Sequence, residues 1–171
     1  MARSPYLEAE VNRWCKEKKE LVIQDCDLDT FNIIINYMYG IPIPDSVQIN
    51  ATAKNRKVEL KQIITLIKLV KLLEVSDRFL MVDLKDEVEG LLLKEVERPM
   101  PRSLFFRIVN LAEDLSCDKL LAACAKYLAS RLKGSTNKKG FDQGKLATGC
   151  TQTIETTPKF AAALLMAAFM A

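Results

Sequence analysis

Between Glu59 and Val75 the chain repeats apolar residues at helical spacing: Leu60, Ile63, Ile64, Ile67 and Val70 fall on one broad face. Lys61, Thr65, Lys68 and Lys71 form a narrow polar stripe beside it. A helix with so wide an apolar face must bury most of it against other elements. The pattern therefore predicts a mostly buried helix with one lysine-lined edge.

The segments around it read as further helices. Asp27 or Asp29 can cap a helix carrying Phe31, Ile34, Ile35 and Met38, which Gly40 and Pro42 end. Ile41-Pro-Ile-Pro cannot continue a helix, because each proline lacks an N–H and holds its predecessor extended. Residues 45–57 read as an exposed loop. Leu84, Val88, Leu91 and Leu92 mark another helix, with Lys85 and Glu89 paired on its wet side. Pro99 and Pro101 break it, and Ser103 then caps a helix bearing Phe105, Ile108, Val109 and Ala112. A turn at Ser116 leads to a last helix with Leu120, Leu121, Cys124, Leu128 and Leu132, closed by Gly134. Leu21-Val22-Ile23 reads as one short buried strand. The class expected is α+β and predominantly helical.

The remainder differs in composition. Residues 134–159 are rich in Gly, Thr and Lys and read as a linker, and Phe160 to Ala171 is an apolar tail without charge. A bilayer-spanning helix needs about 20 apolar residues, so this tail is too short to cross a membrane and reads as a C-terminal helix docking on a core, an interfacial segment, or a segment not native to the fold. Gly144-Lys145 lacks the phosphate-loop spacing and is followed by Leu146 instead of a hydroxyl residue. No apolar leader follows Met1, and the Asn50-Ala-Thr52 sequon is read as chance.

Histidine is absent from all 171 residues. That excludes Ser–His and Cys–His nucleophile pairs, histidine general bases and histidine-ligated metal sites. The five cysteines (Cys15, Cys26, Cys117, Cys124, Cys150) form no Cys-x-x-Cys pair and read as reduced thiols of an intracellular protein, cytoplasmic or nuclear. Carboxylates gather at Asp25, Asp27 and Asp29, at Glu87 and Glu89, and at Glu113 and Asp114, each group in a turn or on a solvated face without a partner base. No catalytic residue, cofactor or metal ligand is expected, and the chain reads as a non-enzyme. Residues 51–71 hold Lys54, Arg56, Lys57, Lys61, Lys68 and Lys71 against one acid, Glu59. That patch is the basis of an alternative reading, electrostatic binding of nucleic acid or an anionic surface. No aromatic residues interleave it as a base-stacking platform requires, and the net charge is only +3.

The order of certain motifs resembles a known family. Val22-Ile-Gln-Asp-Cys-Asp-Leu-Asp-Thr-Phe31, running into Ile34-Ile35 and Tyr37-Met38-Tyr39-Gly40, is similar to the BTB/POZ domain, whose aromatic-x-Tyr-Thr-Gly signature lacks its threonine here. Ser4-Pro5-Tyr6-Leu7 resembles the family's Ser-x-Tyr-Phe. Val70, Leu72 and Leu73, then Ser76-Asp77-Arg78-Phe79-Leu80-Met81 and Leu84-Lys85, resemble its paired-leucine helix and the turn after it. Residues 103–133 resemble the helical extension that follows many such domains.

The resemblance implies a BTB/POZ-like helical core with a residual short sheet plus a C-terminal helical pair. Its expected divisions are a partial domain over 1–98 that lacks the opening strand hairpin, an extension over 99–133, the linker over 134–159 and the tail over 160–171. It implies protein partners, homodimerisation, and recruitment to a cullin-3 ubiquitin ligase or to transcription complexes. Lys71 reverses the charge of the acid that cullin-binding members carry there. The partner-binding residues expected are Lys61, Lys68 and Lys71 on the helix edge, with Phe79 and Met81 beyond it.

Overall fold

The computed structural model describes residues 4–14, 23, 26–44, 56–135 and 157–170. They form seven helices: α1 (Pro5–Trp14), α2 (Leu28–Met38), α3 (Arg56–Arg78), α4 (Val82–Val96), α5 (Arg102–Asp114), α6 (Asp118–Ser135) and α7 (Pro158–Met170). The chain divides into two compact units, residues 1–91 and 92–171. Among the described residues there is no strand. Ile23 lies in neither helix nor strand, and the rest of the strand expected at 21–25 is outside the described residues, as are 45–55 of the expected loop and 136–156 of the expected linker.

The first unit is tied together at both ends by one serine. Ser4 caps α1: its Oγ accepts the Leu7 N–H at 3.2 Å and donates to the Phe79 carbonyl at 2.6 Å. Pro5 then takes the first helical position, where its missing N–H costs nothing. Tyr6 stacks on Phe79 with ring centroids 5.3 Å apart and planes 7° from parallel. Two motifs more than 70 residues apart in sequence thus pack on each other.

Three helix ends share one geometry. After α2, α3 and α5, the sixth residue's N–H bonds back to the first residue's carbonyl: Ile41 to Asn36, Met81 to Ser76, Cys117 to Ala112. The left-handed residue this requires is Gly40 (φ 84°) in the first case but Leu80 (φ 54°) and Ser116 (φ 55°) in the others. A leucine there strains its Cβ against the backbone, at about 1 kcal/mol relative to glycine. Leu80 is also exposed. We expect Leu80→Gly to raise unfolding stability by about 0.5–1 kcal/mol in a urea titration. An unchanged or lowered midpoint would show that Leu80 packs usefully despite its backbone.

Several local expectations need correction. α3 begins at Arg56, inside the stretch expected to be a loop. Ser103 is not a cap but an exposed residue within α5, whose N-cap position is Pro101 with no side-chain bond. The apolar tail, for which a C-terminal helix is one reading, lies in a helix that spans Pro158–Met170.

The largest correction concerns which side of α3 is inside. Val70 is fully buried as expected, but Leu60, Ile64 and Ile67 are 61%, 55% and 36% exposed. The helix buries Leu66, Leu69, Leu72 and Leu73 instead. Thr65, expected on the wet stripe, is 3% exposed, its hydroxyl donating to the Lys61 carbonyl. In the second unit the expected faces hold: Phe105, Ile108, Val109 and Ala112 of α5 meet Leu120, Leu121, Cys124 and Leu128 of α6 in a buried layer.

Candidate functional site

The groove between the start of α2 and the middle of α3 is where exposed apolar surface and charge converge. Asp27 fixes its near wall. Its backbone is extended (φ −74°, ψ 156°) and its Oδ1 accepts the Thr30 N–H at 2.9 Å, capping α2. The other carboxylate oxygen accepts from Lys71 Nζ at 3.1 Å, and Lys68 Nζ lies 3.7 Å from Asp29. Leu28, held between the two acids, is 72% exposed.

Asp27, Leu28, Asp29, Ile64, Ile67, Lys68 and Lys71 line an open cleft of about 480 Å³. Leu60, one helical turn before Ile64, extends the apolar stripe along α3. The result is an apolar floor with an ion-paired rim.

The Thr30 N–H, and after it the Lys71 ammonium, hold the Asp27 carboxyl well below the usual range, at about 2. It stays a carboxylate at any physiological pH and is not a proton donor. Cys26 sits beside it, and burial together with the Asp27 charge pushes its thiol pKa up. Burial likewise pushes Cys124 up to about 12. Among the described residues no cluster of three acids or cysteines could hold a metal ion.

A depressed carboxylate contributes stability that is present above its unfolded pKa and lost as pH falls through the folded one. Asp27→Asn keeps a capping oxygen while removing the charge. At neutral pH the change is expected to cost only a few tenths of a kcal/mol, because the Lys71 pair is solvated. Between about pH 4 and 2 its acid-unfolding limb should be flatter than that of the parent protein; a limb of equal slope would mean that Asp27 plays no part in the acid transition.

Of the five residues expected to face a partner, three lie on the open side of α3. Lys61 is exposed, and Lys68 and Lys71 stand on the cleft rim, each committed to an acid of α2. Phe79 and Met81 are a correction, being 1% and 2% exposed. They turn inward because Phe79 ends α3 against Tyr6, and the left-handed Leu80 then swings the following residue back under the helix. The surface at that turn is offered by Leu80 and Val82 instead. Sequence reasoning missed Leu28 and assigned Ile64 and Ile67 to the core. The two acids flanking Leu28 were the available signal, since a leucine between them leans toward solvent.

The BTB/POZ domain family model matches residues 1–95, more than half of the chain. The chain belongs to the BTB/POZ family. The motif matches acquire physical reasons from this fold: the family's Ser-x-Tyr stretch is the Ser4 cap and the Tyr6 ring on Phe79, and the glycine that closes its aromatic-x-Tyr ending is the left-handed Gly40 that terminates α2. BTB/POZ domains are in general interaction modules rather than enzymes. No curated protein and no solved structure matches the chain. Among the described residues no helix is long and apolar enough to cross a membrane.

Proposed function

We propose that this BTB/POZ chain is an adaptor that recruits protein partners through the α2–α3 cleft, with Leu60, Ile64, Ile67 and Leu28 as the apolar anchors. The observation that carries the reading is the exposure of Leu28, Ile64 and Ile67 in one groove, with Leu60 exposed one helical turn along α3. Such anchors supply most of the energy of an interface, and the polar rim excludes water and sets orientation. The family supports homodimerisation and the linking of substrates to a cullin-3 ubiquitin ligase as the finer form of this role.

The basic-patch alternative draws less support. Lys68 and Lys71, two of its six cations, face Asp29 and Asp27, so the described part of the patch is largely neutralised from within.

Retention of the recombinant N-terminal region of cullin-3 by the immobilised chain tests the adaptor reading. We expect Ile64→Asp to abolish retention by placing a charge on the docking floor, and Lys71→Glu to strengthen it by restoring the acid of cullin-binding members. If neither the parent chain nor Lys71→Glu retains cullin-3, the ligase role is wrong.

A further inference from the structure

We propose that α5 and α6 form a helix-binding site whose resident ligand is the chain's own α7, and that Glu113 is the residue that recognises the N-terminus of the bound helix. α7 packs chiefly along α6 and also touches α5. Its anchor is Phe160, fully buried, with Thr157 buried just before it. Thr157-Pro158 is a strong start signal, a capping residue followed by proline at the first helical position. The next two N–H groups, which a helix cannot satisfy internally, do not go to water. Lys159 N–H donates to Glu113 Oε1 and Phe160 N–H to Glu113 Oε2, both at 3.0 Å. Both oxygens of one carboxylate from another helix thus cap α7.

The end of α5 is shaped for this. Ser116, left-handed, turns the chain so that its Oγ accepts from Lys159 Nζ at 3.2 Å. Glu113 therefore meets the positive end of the α7 dipole as a full negative charge, and Ser116 meets the basic side chain beside it. Everything recognised is a property that a separate helix carries by itself: two free first-turn amides, a cation at the second position and an aromatic ring at the third. Beyond Phe160 the described part of α7 brings no charge, and its outward Leu165 and Met166 are exposed, so it is held from one side. The occupant of the site is α7 in its own chain, and a free copy of the same helix competes for it.

The experiment uses the full chain and a fluorescent peptide of residues 157–171. Phe160→Glu should release the resident helix, so that this variant takes up the peptide at concentrations where the parent chain leaves it free. Adding Glu113→Gln to the Phe160→Glu chain should weaken uptake roughly tenfold through loss of the charged cap. Equal uptake by the parent chain, no uptake by a cooperatively unfolding Phe160→Glu chain, or no effect of Glu113→Gln would each overturn the proposal. A Phe160→Glu chain without a cooperative transition would also overturn it, by making α7 an inseparable part of the core. Hydrogen exchange on Glu113→Gln alone gives a second reading. Residues 158–167 should lose protection while α5 and α6 keep theirs, and equal loss in all three helices counts against the proposal.

Discussion

Replacing Phe79 by alanine is expected to cost about 3–5 kcal/mol of unfolding free energy, a large share of the total stability of a domain this size. The ring is 1% exposed and lies flat on Tyr6, so truncation removes apolar burial, leaves a cavity and unstacks the tyrosine. The neighbouring hydroxyl bond does not compensate. Ser4 donates to the backbone carbonyl of residue 79, which the substitution leaves in place but no longer positions. Phe79→Leu, which refills most of the volume, should cost less than half as much. Urea denaturation followed by circular dichroism decides the matter; a loss below about 1 kcal/mol for Phe79→Ala would mean that the turn after α3 is held by something other than this ring.

The second large effect is expected at the end of α4. Glu95 is 4% exposed and is matched by Arg98, whose Nη1 lies 2.9 Å from the nearer carboxylate oxygen. Burial pushes the Glu95 carboxyl up, and the Arg98 charge and hydrogen bond oppose that rise. Removing the arginine leaves a buried acid without its counter-charge, so Arg98→Ala should cost about 1–3 kcal/mol at neutral pH. An acid whose folded pKa stands above the unfolded one penalises folding when charged, and the penalty fades as pH falls through the folded value toward the unfolded one. The loss in Arg98→Ala should therefore shrink below about pH 4, where the carboxyl is neutral in both states. The double variant Glu95→Leu with Arg98→Ala should recover most of the loss at neutral pH, because a packed leucine needs no counter-charge. A double variant as unstable as the single would show that the arginine stem, rather than the charge, is what matters.

What the sequence revealed depended on whether the controlling interaction is local. Asp27 as a cap and Gly40 as a helix end are written within a few residues, and both are where the pattern put them. The α5–α6 layer was legible because each helix has one narrow apolar stripe and only one way to bury it. α3 was not, since its apolar residues run nearly all the way round. Which side faces in is decided by the helices packed on it, and the side that lost is the one carrying Leu60, Ile64 and Ile67. The same holds for Leu80 and Ser116, which take a glycine's conformation because the residues after them are buried. The start of α7 was readable in Thr157-Pro158, but the threonine-rich composition around it argued for a linker.

The internal pairing of Asp27 with Lys71 and Asp29 with Lys68 also bears on kinetics. Charges already balanced across 3–4 Å project little field beyond the surface, so a partner approaching this cleft would be neither drawn in nor turned by long-range attraction. Encounter would proceed at the unsteered rate, on the order of 10⁵–10⁶ M⁻¹s⁻¹, and change little with ionic strength. How long a complex lasts would then be set by the aliphatic floor and by short-range contacts of the rim once the partner is seated.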